Sequence, residues 1–188
     1  MRKYKEILKL SKLAEKMQRL TKKQQVIQGK IYNRDYLAGA YYLYDDTYIV
    51  NDFWLVIFKN KIENLLMKPQ TEYTFKAEQC VPCYNERKKV EIKDIKNFIE
   101  QLEEKSKNKE RDDKIIKIGT SYYNAEYVLN VIKCFDKFEI WQDIYNNGKN
   151  NSLIITHITN NGEEDVGVVC PVRNDWVEKY VKGGNENE

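Results

Sequence analysis

Two Asn-Asn-Gly tripeptides, Asn146-Asn147-Gly148 and Asn160-Asn161-Gly162, constrain this chain most. Asn and Gly tolerate positive φ, so each tripeptide suits a tight hairpin turn. The residues around them are apolar, β-branched and aromatic: EIWQDIY before the first, SLIITHIT between the two, VGVV after the second. Such runs bounded by turn residues predict three antiparallel strands. The last, Val166 to Val172, ends at Pro171, which cannot donate to a ladder. Upstream, Ile115, Ile116 and Ile118 among lysines predict a half-buried strand. Asn124 is a good N-cap, and the helix after it puts Tyr127, Val128, Val131, Ile132 and Phe135 on one side. Residues 114–173 therefore read as a strand, a helix and three strands.

The chain has 188 residues, 41% hydrophobic and 32% charged, which describes a folded globular protein rather than a disordered one. Its longest apolar run falls far short of a membrane span. The basic N-terminus lacks an apolar signal region, and four cysteines without such a signal predict reduced thiols and a cytoplasmic location. The net charge of +3 hides an asymmetry. Residues 1–30 hold ten Lys/Arg against two Asp/Glu, whereas residues 135–188 hold five against ten. A basic head and an acidic tail predict one face that meets a polyanion and another that avoids it.

The basic head is a predicted helix over 3–22. Ile7, Leu10, Leu13, Ala14 and Met17 form its apolar stripe. Lys5, Lys9, Lys12, Lys16 and Arg19 form a second stripe at spacings of four, three, four and three. A solvated amphipathic face would look the same. However, only Glu6 and Glu15 offer local counter-charge, and like charges in a row repel unless something negative lies opposite.

Residues 30–62 predict strands: a hairpin turning at Asp45-Asp46, then an apolar strand from Asp52 to Phe58 bounded by Lys59-Asn60-Lys61. Tyr32, Tyr36, Tyr41, Tyr42, Tyr44, Tyr48, Phe53, Trp54 and Phe58 make this region rich in rings. Such rings could be stacking platforms for RNA, but filling a sheet core explains them without an RNA-recognition signature. A further strand is expected around Glu72 to Ala77, and an amphipathic helix with mixed charge over 91–107. Cys80-Val81-Pro82-Cys83 has CxxC spacing but lacks partner ligands for zinc and a helix opening at the motif for redox work. No phosphate-binding Gly-rich loop, nucleophile elbow or HExxH motif occurs. The acidic pairs Asp45-Asp46 and Asp112-Asp113, and the run Glu163 to Asp165, read as solvated turns rather than Mg²⁺ ligands. No cofactor, metal site or enzymatic activity is expected.

Four pieces, in order, carry a family resemblance. They are Ile49 to Val56, Val81-Pro82-Cys83-Tyr84-Asn85-Glu86-Arg87, the Asn-led helix Asn124-Ala125-Glu126-Tyr127-Val128-Leu129, and the closing Val168-Val169-Cys170-Pro171-Val172-Arg173. Over about two-thirds of its length the chain resembles the C-terminal domain of the bacterial DNA sliding clamp, the processivity subunit of the replicative polymerase. It departs from that pattern at Cys83 and Trp54, where the family has Asp and Arg. Three strands after the helix over 91–107 are also missing, and the chain continues past Arg173.

The resemblance implies an α+β, sliding-clamp-like fold with helices on one face of antiparallel sheets. The first half would be 1–79 and the second 108–173, joined by a linker and extra helix over 80–107 and followed by a largely disordered tail over 174–188. It implies a non-enzymatic protein, encoded by a phage or mobile element, that touches duplex DNA through Lys5, Lys9, Lys12, Lys16 and Arg19. It also implies that a DNA polymerase or other replisome protein is tethered at Val168, Cys170, Pro171, Val172 and Arg173. Clamp rings contain six such domains, so a ring of this chain would be a homo-oligomer. Two alternatives remain: a stand-alone protein that mimics part of a clamp and docks on a replisome component, and an RNA- or single-strand-binding module built on the tyrosines.

Overall fold

The computed structural model describes residues 3–27, 39–43, 45–51, 53–62, 86–110, 112–144, 151–172 and 177, with side chains of 17–27, 39 and 41–43 outside that description. Helix α1 (Tyr4–Ile27) precedes a meander of three strands, β1 (Gly39–Leu43), β2 (Asp46–Asn51) and β3 (Trp54–Phe58). Strand β4 (Arg87–Lys89), helix α2 (Ile95–Ser106), a 3-10 turn (Asp112–Lys114) and the hairpin β5 (Ile115–Ile118) to β6 (Ser121–Asn124) follow. Helix α3 (Ala125–Ile132) then precedes a second meander, β7 (Glu139–Asp143), β8 (Leu153–Ile158) and β9 (Glu164–Val169).

Among the described residues this is an α+β fold around one seven-stranded sheet in the order β1-β2-β3-β9-β8-β7-β4. Every pairing in it is antiparallel. The same unit, a helix and a three-stranded meander, thus occurs twice. The two copies meet through their last strands, with Trp54 opposite Val169 and Ile57 opposite Val166. The segments 1–79 and 108–173 both contribute to this one sheet.

The four central strands owe their burial on both faces to continuous apolar runs: TYIV, WLVIF, LIIT and VGVV. One set of alternate residues, Ile49, Trp54, Val56, Phe58, Leu153, Ile155 and Val169, packs with the helices in the main core. The other set, Tyr48, Val50, Leu55, Ile57, Ile154, Val166 and Val168, forms a second buried cluster beside Trp141. Helix α3 crosses β9 at Gly167, where a Cβ would stand 2.2 Å from a Val131 methyl. Burial matches the apolar face expected of α3: Val128, Val131, Ile132 and Phe135 are buried, Tyr127 partly so. Helix α2 packs along α3, adding Phe98 and Leu102 to the core.

Several local features differ from the sequence reading. Helix α1 runs on to Ile27, beyond 22. Leu43 pairs with Asp46, so Asp46 begins β2 instead of lying in the turn. Asn51 pairs with Trp54, which puts Phe53 in the β2–β3 turn and not in the strand. Asn51 fixes that turn by accepting the Phe53 N–H at 2.8 Å. Strands β4 and β6 are additions. The β5–β6 turn starts at Gly119, φ +59°, as a two-residue hairpin with Gly in first place requires. The closing strand stops at Val169, before Pro171. The Asn160-Asn161-Gly162 turn is present, with Gly162 at φ +79° and Thr159 N–H donating to the Glu163 carbonyl at 2.8 Å. The 146–148 turn, the 72–77 strand, Cys80 to Cys83, Tyr32, Tyr36, Tyr44, Arg173 and all of the tail but Val177 lie outside the described residues.

A buried glutamine of β7 helps tie the β5–β6 hairpin to the main sheet. Gln142 Nε2 donates to the Ile118 carbonyl at 2.8 Å and to the Tyr123 hydroxyl at 2.7 Å, and its Oε1 accepts the Thr120 N–H at 3.1 Å. The Tyr123 hydroxyl in turn donates to the Asn151 carbonyl. After β9 the chain runs between these parts: Cys170 N–H donates to the Phe53 carbonyl and Val172 N–H to the Tyr122 carbonyl.

Candidate functional site

Two surfaces stand out, the outer face of α1 and a cleft beside the closing segment. On α1, Ile7, Leu10, Ser11 and Ala14 are buried, which turns the opposite side of the helix outward. Lys5, Lys9, Lys12 and Lys16 are exposed there. At 100° per residue they fall within about 60° of arc, and their Cα atoms span about 16 Å along the axis. Arg19 continues the row by position, its side chain lying outside the described residues. Lys9 is partly neutralised: its ammonium lies 2.9 Å from Glu6, and this hydrogen bond holds the Glu6 carboxyl below its ordinary pKa. Lys12 and Lys16 have no ion-pair partner among the described residues.

The second helix of the layer offers no such face. Helix α2 lies along α3, so five of the eight α3 residues are buried. Lys133, just past α3, pairs with Glu103 of α2 at 3.0 Å, and that contact lowers the Glu103 pKa.

The cleft has a volume of about 550 Å³, within the range of pockets that enclose small ligands. Cys170, Pro171 and Val172 form one wall. Phe53 from the β2–β3 turn and Tyr127 from α3 form another, their rings stacked 5.5 Å apart and 11° from parallel. Ile115, Asn124 and Glu126 line the side of the β5–β6 hairpin and the α3 N-terminus, and Lys109 and Lys114 stand at the rim. Asn124 caps α3 by accepting the Glu126 N–H at 2.9 Å. Lys114 pairs with Glu126 at 2.6 Å.

The residues expected to bind a partner are thus divided. Cys170, Pro171 and Val172 line the cleft. Val168 does not: strand alternation turns it into the second buried cluster, 3% exposed. Sequence reasoning missed Phe53, Tyr127, Lys109 and Lys114 as neighbours of that segment. They come from the β2–β3 turn, helix α3, the loop after α2 and the 3-10 turn, and in the sequence Phe53 reads as part of a strand core.

Of the rings in the strand region, Tyr48, Trp54 and Phe58 are buried, as the core-filling reading expects, and Tyr123 of β6 is buried as well. The sole histidine, His157, is buried, stacks on Phe135 at 5.5 Å and places Nδ1 2.8 Å from the Lys137 carbonyl. Burial pushes the Cys134 thiol up to about 12, which makes it inert at neutral pH, whereas Cys170 is exposed. Among the described residues no group of three or more His, Cys, Asp or Glu could hold a metal, and no helix is long and apolar enough to cross a membrane.

Comparisons with protein-family models, with curated proteins and with solved structures find no match to this chain.

Proposed function

We propose that this chain is a clamp-like, non-enzymatic protein that contacts the backbone of duplex DNA through α1. One observation carries the reading: Lys5, Lys9, Lys12 and Lys16 share the exposed side of a helix whose other side is buried against the sheet. Phosphate contacts of this kind are independent of sequence and sensitive to salt, which suits steering without a fixed register. The repeated helix-and-meander unit, with both helices contributing to the core on one sheet face, supports the clamp-like description. In this reading α1 alone meets DNA, because α2 occupies the flank of α3.

The test is charge reversal at Lys9, Lys12 and Lys16, with binding to a blunt duplex followed across salt concentrations. The triple variant should bind more weakly, and the log–log salt slope should fall by about 0.9 for each phosphate that the variant no longer neutralises. A duplex affinity and slope equal to those of the wild type would sink the assignment.

A further inference from the structure

The cleft beside the closing segment has a chemistry of its own, separate from α1. Phe53 is a turn residue, 39% exposed, and the parallel ring of Tyr127 backs it. The stacked pair gives the cleft a flat apolar wall. Exposed Lys109 stands at the rim with no carboxylate partner among the described residues. Lys117 follows Ile115 by two on β5, so it lies on the same face of the hairpin, beside the cleft lining. It too is exposed, lies 5.9 Å from the Tyr122 ring and has no described carboxylate partner. Glu126 is the one acid in the lining, and Lys114 already neutralises it. Glu110, Asp112 and Asp113 belong to the adjoining loop but do not line the cavity.

An exposed ring among uncompensated cations is the arrangement that binds unpaired nucleotides: a base stacks on the ring while its phosphates lie against the lysines. A mainly apolar peptide would use that wall but leave Lys109 and Lys117 without a role. The geometry points to this cleft as a binding site for single-stranded nucleic acid. The base stacks on Phe53, and Lys109 and Lys117 take the phosphates. The site stands independently of the duplex contact through α1.

The experiment uses the full chain and a labelled oligothymidylate of about twelve nucleotides, within the span of one single-strand site. Phe53→Ala and Lys117→Glu should each weaken its binding by at least about fivefold, and Phe53→Ala should leave blunt-duplex binding unchanged. Phe53→Leu keeps apolar bulk in the turn while removing the ring, so it should weaken binding similarly even if the alanine variant folds poorly. Reversal of the α1 lysines acts through charge alone and cannot reproduce a Phe53 effect, so the two assignments fail separately. The site is refuted if the oligonucleotide does not bind, or binds equally well to all three variants. It is also refuted if a displayed peptide library yields a motif that Phe53→Ala abolishes while oligothymidylate binding stays as in the wild type.

Discussion

Gly167 shows how much a single residue decides. It lies in the centre of β9, where α3 comes closest, and a methyl group there would overlap Val131. Gly167→Ala should therefore cost about 1–3 kcal/mol of stability by overpacking, measured by urea denaturation. A cost near zero would mean that α3 can shift freely on the sheet. Tyr123 makes a pH-dependent contribution. Burial pushes its hydroxyl up to about 12 from an ordinary value near 10, because the charged form cannot be solvated there. Cys134 is raised for the same reason, to about 12 from 9. A group with a raised folded-state pKa contributes fully below its unfolded pKa and loses that contribution as pH rises through the folded value. Stability should hold up to about pH 9 and fall between about 9 and 12, with Tyr123→Phe flattening the upper part of that fall. The buried fate of these residues was only partly legible. Tyr123 sits in a polar-looking SYYN segment, and its hydroxyl is satisfied by Gln142 of β7 and by the Asn151 carbonyl just before β8.

At the scale of elements, strong local signals were readable. Asn124 caps α3, and the Asn160-Asn161-Gly162 turn sets β8 against β9. Asn124→Ala should cost about 1 kcal/mol, with the loss read as a lower thermal midpoint, because the Glu126 N–H would be left without its partner. An unchanged midpoint would show that water serves equally well. Strands β4 and β6 escaped the sequence reading for a physical reason. Arg87-Lys88-Lys89 has no apolar pattern; it is a strand because β7 offers a free edge, and Arg87 also covers Trp141 at 4.6 Å and pairs with Glu164 at 2.9 Å. Among the described residues the ladder partner of Ser121 to Asn124 is β5, reached through a turn that one positive-φ glycine makes possible. The cleft was legible only along its Cys170-Pro171-Val172 wall, since the residues facing it are brought together by tertiary packing.

For the whole molecule, the β3–β9 pairing makes the two helix-and-meander units one cooperative body. Leu55 and Val168 face each other across it within one buried cluster. We expect a single unfolding transition, coincident by far-ultraviolet dichroism and by tryptophan fluorescence. Two separated transitions would show that the units are independent despite the shared sheet.

That pairing also has a consequence for how the chain is made. The Lys59 N–H at the end of β3 meets the Asp165 carboxylate, a partner 106 residues later in the chain. During synthesis, the first meander leaves the ribosome long before the strand that completes it. Until then Trp54 to Phe58 forms an unpaired, wholly apolar sheet edge, the kind that recruits other nascent chains. Closure of so large a loop is intrinsically slow. The yield of this protein should therefore depend less on the stability of its finished fold than on how well β3 is shielded while it waits.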